Sequence, residues 1–224
     1  LKNGIQYKTR AKTHDKIIIN EIWVQKQYNP PGFEINKSDT VIDIGSHIGI
    51  FSIFASKYAR NGKVYTYEPI SENFQLLKEN IALNNIKNII PFNKAVAGEK
   101  GTKDIRIFED NTGGHSLLLK HKNQSKYRSK ILTIETISLK DIIEENNISE
   151  IDFLKMDCEG AEYEIFLNCP DYIFKRINKL SMEYHNIDKN HNVLLLKKLL
   201  ESKGFTIKIK WGGRLPYSTL HAKR

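Results

Sequence analysis

Apolar and polar residues follow two different periods along this chain, and the switch between them is sharpest at residues 41–60. Val41, Ile42 and Ile44 form a short apolar run with one acid, Asp43, near its end, the pattern of a strand buried on both faces. Ile50, Phe51, Phe54 and Tyr58 then recur at three- and four-residue steps, which predicts a helix over 49–60 with one apolar face. Between them lies Gly45-Ser46-His47-Ile48-Gly49. The alternation repeats: KVYTYE at 63–68 reads as a second strand, Ser71 opens a helix carrying Leu76, Leu77, Ile81 and Leu83, and a third strand follows over 89–96. Such alternation is the sign of a parallel sheet.

The pattern pauses over 98–136, where short strands at 104–108, 116–119 and 131–136 predict a small antiparallel insertion. It resumes with a helix at 138–145, a fourth strand at 151–157, a helix stopping near Pro170, a fifth strand at 179–185 and a helix at 191–203. Strands at 205–210 and 218–222 suggest a closing antiparallel pair and complete seven main strands. Residues 1–38 read as a basic, irregular lead-in packing on the core, with a β-like run at 16–20, a short helix at 21–28 and a turn at Asn29-Pro30-Pro31-Gly32. Residues 39–224 form one α/β domain, a length sufficient for a proper core.

Composition narrows the class. A hydrophobic fraction of 40% and a charged fraction of 27% exclude wholesale disorder, and a net charge of +9 favours acidic partners such as nucleic acid, nucleotide sugars or anionic head groups. The densest basic stretch, 120–130, is a solvated loop or one that helps hold an anionic acceptor. Two cysteines, Cys158 and Cys169, build neither a disulfide framework nor a four-thiolate zinc site, so a reducing, cytoplasmic location is expected. No apolar run reaches membrane-spanning length, and 1–10 has no signal-peptide apolar region.

The glycine turn carries the first chemistry. It brings bare backbone and a helix N-terminus to the carboxyl edge of a sheet, where open α/β folds bind ligands. Its spacing, Asp-x-Gly-x-x-x-Gly, lacks the glycine that clears room for a dinucleotide pyrophosphate, so it suits a nucleoside without phosphates. Asp43 before the turn suits a positively charged one, and S-adenosylmethionine meets both conditions. Glu68, ending the second strand, is placed to accept hydrogen bonds from ribose hydroxyls, and Pro69-x-x-x-Asn73 follows it over the adenosine. A second set, Asp157, Glu159 and Glu162 after the fourth strand with Glu183 and His185 ending the fifth, shares that edge. Such a set could deprotonate a hydroxyl, either through His185, whose ordinary pKa near 6.5 leaves much of it neutral at about pH 7, or with a divalent cation held by Asp157 and Glu159. Glu162 reads equally well as a helix-capping acid.

DIGSHIGIFS, YEPISENFQLLKENIALN, NKAVAG, SLKDII, IDFLKMDCEGAEYE and MEYH, in this order and spacing over about residues 39–205, together resemble the FkbM family of S-adenosylmethionine-dependent methyltransferases. The resemblance implies a Rossmann-like class I methyltransferase fold with a mostly parallel sheet ordered 3-2-1-4-5-7-6 and helices on both faces. It also implies O-methylation of a hydroxyl on a sugar, glycan or small-molecule natural product, leaving S-adenosylhomocysteine. Asp43, Gly45, Ser46, His47 and Gly49 would line the cofactor, Glu68 and Pro69 its ribose side, and Asn73 and Ala95 its surroundings, with Asp157 and Glu159 by the methyl group. Ser46-His47 departs from the small residue and Asn common in the family. An RNA methyltransferase is the alternative, favoured by charge and by Lys126-Tyr127-Arg128 but lacking an RNA-binding module. A non-catalytic cofactor-binding or scaffolding protein is the second.

Overall fold

The computed structural model describes residues 1–108, 129–189, 191–210 and 218–224. Seven strands form the large sheet: β1 (Thr40–Ile44), β2 (Lys63–Tyr67), β3 (Ile89–Phe92), β7 (Ile151–Met156), β8 (Ile177–Glu183), β9 (Thr206–Lys210) and β10 (Thr219–Lys223). They lie side by side as β3-β2-β1-β7-β8-β10-β9. Numbered within this sheet alone, the order is 3-2-1-4-5-7-6. All pairings are parallel except those of β10, which runs antiparallel to β8 and β9.

Alternation of side chains across the strands divides the core in two. Val41, Val64 and Phe153 pack against α2 (Ile50–Tyr58), with Ile22 of α1 (Asp15–Trp23) and Leu76 and Ile81 of α3 (Ser71–Leu83) closing that side. Ile42, Ile44, Tyr67, Leu154 and Met156 face α4 (Leu139–Glu145), α5 (Glu162–Leu167) and α7 (Val193–Ser202) on the other, with the short α6 (Asp171–Phe174) beside them. Ser138 caps α4 through a reciprocal capping box with Asp141, which explains the sharp start of that helix.

Two parts of the chain depart from the expected elements. The β-like run at 16–20 is helical, inside α1. Its β-branched residues favour a strand only in isolation; Ile18, Ile19, Ile22 and Trp23 recur on one helical face, and burying that face against α2 decides the outcome. The expected third strand breaks after Phe92, where the Asn93 side chain donates to the Glu68 and Pro69 carbonyls at 2.8 and 3.0 Å. Ala95–Val96 then forms β4 of a separate sheet, ordered β4-β6-β5 with β5 (Gly101–Phe108) and β6 (Ser129–Ile137). In this insertion β5–β6 is antiparallel and β4–β6 parallel. The strand expected at 116–119 and the basic loop up to residue 128 lie outside the described residues.

The lead-in is strapped to the domain by asparagines on one face of α3. Asn80, fully buried, accepts from the Lys8 backbone N–H at 2.7 Å and donates to the Lys8 and Ile48 carbonyls at 3.2 and 2.9 Å. One turn later, Asn84 exchanges two bonds with the backbone of Gln6 in more exposed surroundings. An extended segment buried without such partners would leave its polar groups unsatisfied. Asn80→Ala is therefore expected to lower the unfolding free energy by about 2–3 kcal/mol in urea melts, and Asn84→Ala by under about 1 kcal/mol. Equal costs would show that the strap is not what holds the lead-in.

Candidate active site

A cavity of about 480 Å³ opens at the carboxyl edge of the large sheet, within the range of small-molecule sites at about 300–1,000 Å³. The turn after β1 forms one wall. Gly45, His47 and Gly49 all have positive φ, at 73°, 53° and 85°. At Gly45 the glycine is obligatory, because a Cβ there would lie 1.7 Å from the Asp157 carbonyl oxygen. The left-handed backbone aims the His47 N–H at Glu68 Oε2, 2.8 Å away, while Glu68 Oε1 accepts from Ile70 N–H at 3.0 Å and from Asn73 Nδ2 at 3.2 Å. Burial raises the Glu68 pKa against these three donors. The opposite side is apolar, from Ile70, Ala95, Val96 and Ile105, and α1 with the residues after it supplies the roof.

The acids gather at the other end. Tyr28 Oη donates to Asp157 Oδ2 at 2.9 Å and lies 3.4 Å from Glu183 Oε2. His185 bridges Glu162 Oε1, 3.0 Å from its Nδ1, and Glu159 Oε2, 3.4 Å from its Nε2. Burial works against charge on His185, but Glu162, Glu159 and Asp157 outweigh it and push the pKa to about 10. Burial and then the Asp157 charge raise Glu183 to about 8 and Glu159 to about 7. Tyr28, raised well above its usual range by burial and by Asp157 and Glu183, stays a donor.

Of the residues expected in the site, Gly45, Ser46, His47, Glu68, Pro69, Asn73, Ala95, Asp157, Glu159 and His185 line this one cavity. Asp43 and Gly49 do not. Asp43 is fully buried below the turn, where its Oδ2 accepts from Ser52 Oγ at 2.5 Å and its Oδ1 lies 3.2 Å from Lys155 Nζ. The positive charge it answers is therefore this lysine and not a ligand. Gly49 is needed for packing, since a Cβ would meet Leu77 Cδ1 at 2.4 Å. The surroundings of His185 oppose the expectation of a neutral ring, because Glu162 and Glu159 face it and raise its pKa to about 10. Among the described residues no group of three or more His, Cys, Asp or Glu side chains is arranged to hold a metal ion. Tyr28 and Lys155 went unnoticed. A lysine inside the apolar strand IDFLKMD was a readable signal; nothing marked Tyr28 in the lead-in.

A sheet ordered this way, with a nucleoside-sized cavity over the first glycine turn, defines a class I methyltransferase fold. The chain is 24% identical over 216 residues to the 31-O-demethyl-FK506 methyltransferase FkbM of Streptomyces tacrolimicus, covering 86% of this chain and 82% of that one. It superposes on the crystal structure of methyltransferase FkbM from Methylobacillus flagellatus KT with a TM-score of 0.61 at 16% identity, over 92% of this chain and 48% of the other. A protein from Streptococcus mutans crystallised with S-adenosylhomocysteine shares the fold at a TM-score of 0.52 and 15% identity, over 84% of this chain and 90% of its own. The methyltransferase FkbM domain matches residues 43–207, and the chain belongs to that family of methyltransferases. Among the described residues no helix is long and apolar enough to cross a membrane.

The histidines provide a direct check of these electrostatics. His47 and His221 are held down to about 4, both chiefly by burial, whereas His185 is raised to about 10. A depressed histidine contributes stability that is complete above its unfolded value of about 6.5 and is lost as pH falls towards 4. The raised His185 contributes stability that is complete below about 6.5 and is lost as pH rises towards 10. Nitrogen-15 spectra of the imidazoles should show His185 charged at pH 8 and the other two neutral at pH 5.5. A neutral His185 at pH 7 would restore it as the proton acceptor.

Proposed function

We propose that the chain transfers a methyl group from S-adenosylmethionine to a hydroxyl of a sugar, glycan or small natural product. The observation that carries this is the joint lining of one cavity by the 45–47 turn, Glu68 and the Asp157, Glu159 and Glu183 carboxylates. The residues suit the cofactor: Glu68 is a buried carboxylate facing the cavity with lone pairs beyond its three donors, and Ile70, Ala95 and Ile105 offer an apolar bed for a base. When bound, S-adenosylmethionine supplies a methyl carbon on a positively charged sulfur. The acid-lined end favours that positive charge and a neutral acceptor, and it is unfavourable to the phosphates of RNA.

A hydroxyl becomes a good nucleophile only as its proton leaves. Glu183 is the group placed to take it. It stands at the end of β8, paired with Thr219 of β10, so the sheet holds its backbone. Glu159 is engaged by His185, and His185 is already protonated near neutrality. Tyr28 orients Asp157 and Glu183 together, and Lys155 Nζ, 3.9 Å from Asp157 Oδ2, limits the negative charge that accumulates there.

Labelled methyl transfer from S-adenosylmethionine, screened against glycans, nucleotide sugars, hydroxylated natural products and RNA, tests the reading. A hydroxyl acceptor outside RNA is expected, with kcat rising with pH through about 8 as Glu183 ionises. Glu183→Gln should lower kcat about a hundredfold or more, and Glu68→Ala should weaken cofactor binding by about 1.5–3 kcal/mol. Transfer to RNA alone, or full activity in Glu183→Gln, would contradict it.

A further inference from the structure

The lead-in grips the cavity through Arg10 and Tyr28, both outside residues 43–207 that carry the family domain. At the turn end Arg10 Nη1 donates to Asn73 Oδ1 at 2.7 Å, and Nη2 lies 2.6 Å from His47 Nε2. At the acid end stands Tyr28, 4% exposed, with its ring edge-on to Phe51 at 5.7 Å between centroids and Lys155 Nζ 5.3 Å from its own centroid. Contacts on the edge and the face of the ring fix where its hydroxyl lies.

That hydroxyl has one proton to give and two carboxylates beside it, Asp157 Oδ2 at 2.9 Å and Glu183 Oε2 at 3.4 Å. The shorter contact is to an oxygen that also faces Lys155 Nζ at 3.9 Å, so the phenolic proton belongs to Asp157. Towards Glu183 the phenol then presents only lone pairs. A separation of 3.4 Å is longer than an O–H···O bond, as two bare acceptors require, and a proton on Glu183 would close it. The other groups facing this pair are Glu21 of α1 beside Tyr28, and Asp157, His185, Glu159 and Lys155 beside Glu183.

We propose that Tyr28 is a positioning residue for proton transfer, which donates to Asp157 and offers its oxygen to Glu183, so that it receives Glu183 only in the protonated form that the reaction leaves. This rests on the reading of Glu183 as the group that takes the acceptor proton. In that step the acceptor O–H bond breaks and a Glu183 O–H bond forms; the acceptor oxygen bonds to the methyl carbon, and the electron pair of the broken C–S bond stays on sulfur. Ionised Glu183 has its lone pairs free for the acceptor hydroxyl, and neutral Glu183 turns its new proton to Tyr28. The lead-in thereby supplies a working part of the site and not merely a cover.

Tyr28→Phe keeps the ring contacts and removes only the hydroxyl. The protonated form of Glu183 loses its acceptor while every other facing group stays, so its proton should leave at lower pH. Carbon-13 spectra of the carboxyl-labelled full chain, with Glu183 assigned through Glu183→Gln, should show the midpoint falling from about 8 by about 0.5–1 unit, with calorimetric affinity for S-adenosylhomocysteine unchanged. Labelled methyl transfer should show the half-maximal pH of kcat falling with it at an unchanged KM for S-adenosylmethionine. Crystals of the wild-type chain provide a second measurement: Tyr28 Oη and Glu183 Oε2 should close to about 2.7 Å at about pH 6 and stand more than about 3.2 Å apart at about pH 9.5. A midpoint that stays or rises in Tyr28→Phe, or a contact that shortens at the higher pH, would place the phenolic proton on Glu183 and overturn the proposal while leaving the cavity reading intact. A wild-type chain that binds no S-adenosylhomocysteine would overturn the cavity reading itself.

Discussion

The site depends first on a buried ion pair between adjacent strands. Lys155, in the interior of β7, reaches across to Asp43 of β1 at 3.2 Å and donates to the Ile44 and Gly45 carbonyls at 3.2 and 2.8 Å. Burial would strip the charge from such a lysine, but Asp43 and Asp157 outweigh it and hold its pKa above the ordinary value. Removing one partner of a buried pair leaves the other charge unpaired, at a cost of about 3–5 kcal/mol. The pair therefore holds the carboxyl ends of β1 and β7 at the close approach that Gly45 requires, and both the turn and Asp157 start from that point.

From this anchor the cavity divides by charge. At the turn end His47 is neutral and Glu68 is surrounded by donors. At the other end His185 is charged and sits among carboxylates, two of which have pKa values near neutrality. Two histidines at opposite ends of one cavity thus hold opposite charge states, each set by what faces it. Environments that push the pKa values of titratable groups apart give those groups different protonation roles. The lead-in contributes at both ends, through Arg10 at the turn and Tyr28 among the acids.

Much of this was legible in the amino-acid order. The change of period at Asp43 to Ile50 marked the first strand, turn and helix, and the acid ending KVYTYE marked Glu68, because such patterns are local. What escaped depends on contacts distant in sequence. The helix at Asp15–Trp23 forms because α2 offers a face to bury against, which β-branched isoleucines do not announce. Asp43 reads as a ligand for a cation until Lys155, 112 positions later in the chain, arrives to occupy it. His185 reads as a base until Glu159 and Glu162 fold onto it. Residue type proposes a charge, and only the packed neighbours decide it.

The account centres on where the cofactor's adenosyl group lies, and a crystal structure of the full chain with S-adenosylhomocysteine tests that directly. The ribose hydroxyls are expected on Glu68, with the base against Ile70 and Ala95 and the sulfur turned towards Asp157, Glu159 and Glu183. An adenosyl group bound elsewhere, or bound with its ribose away from Glu68, would contradict the account.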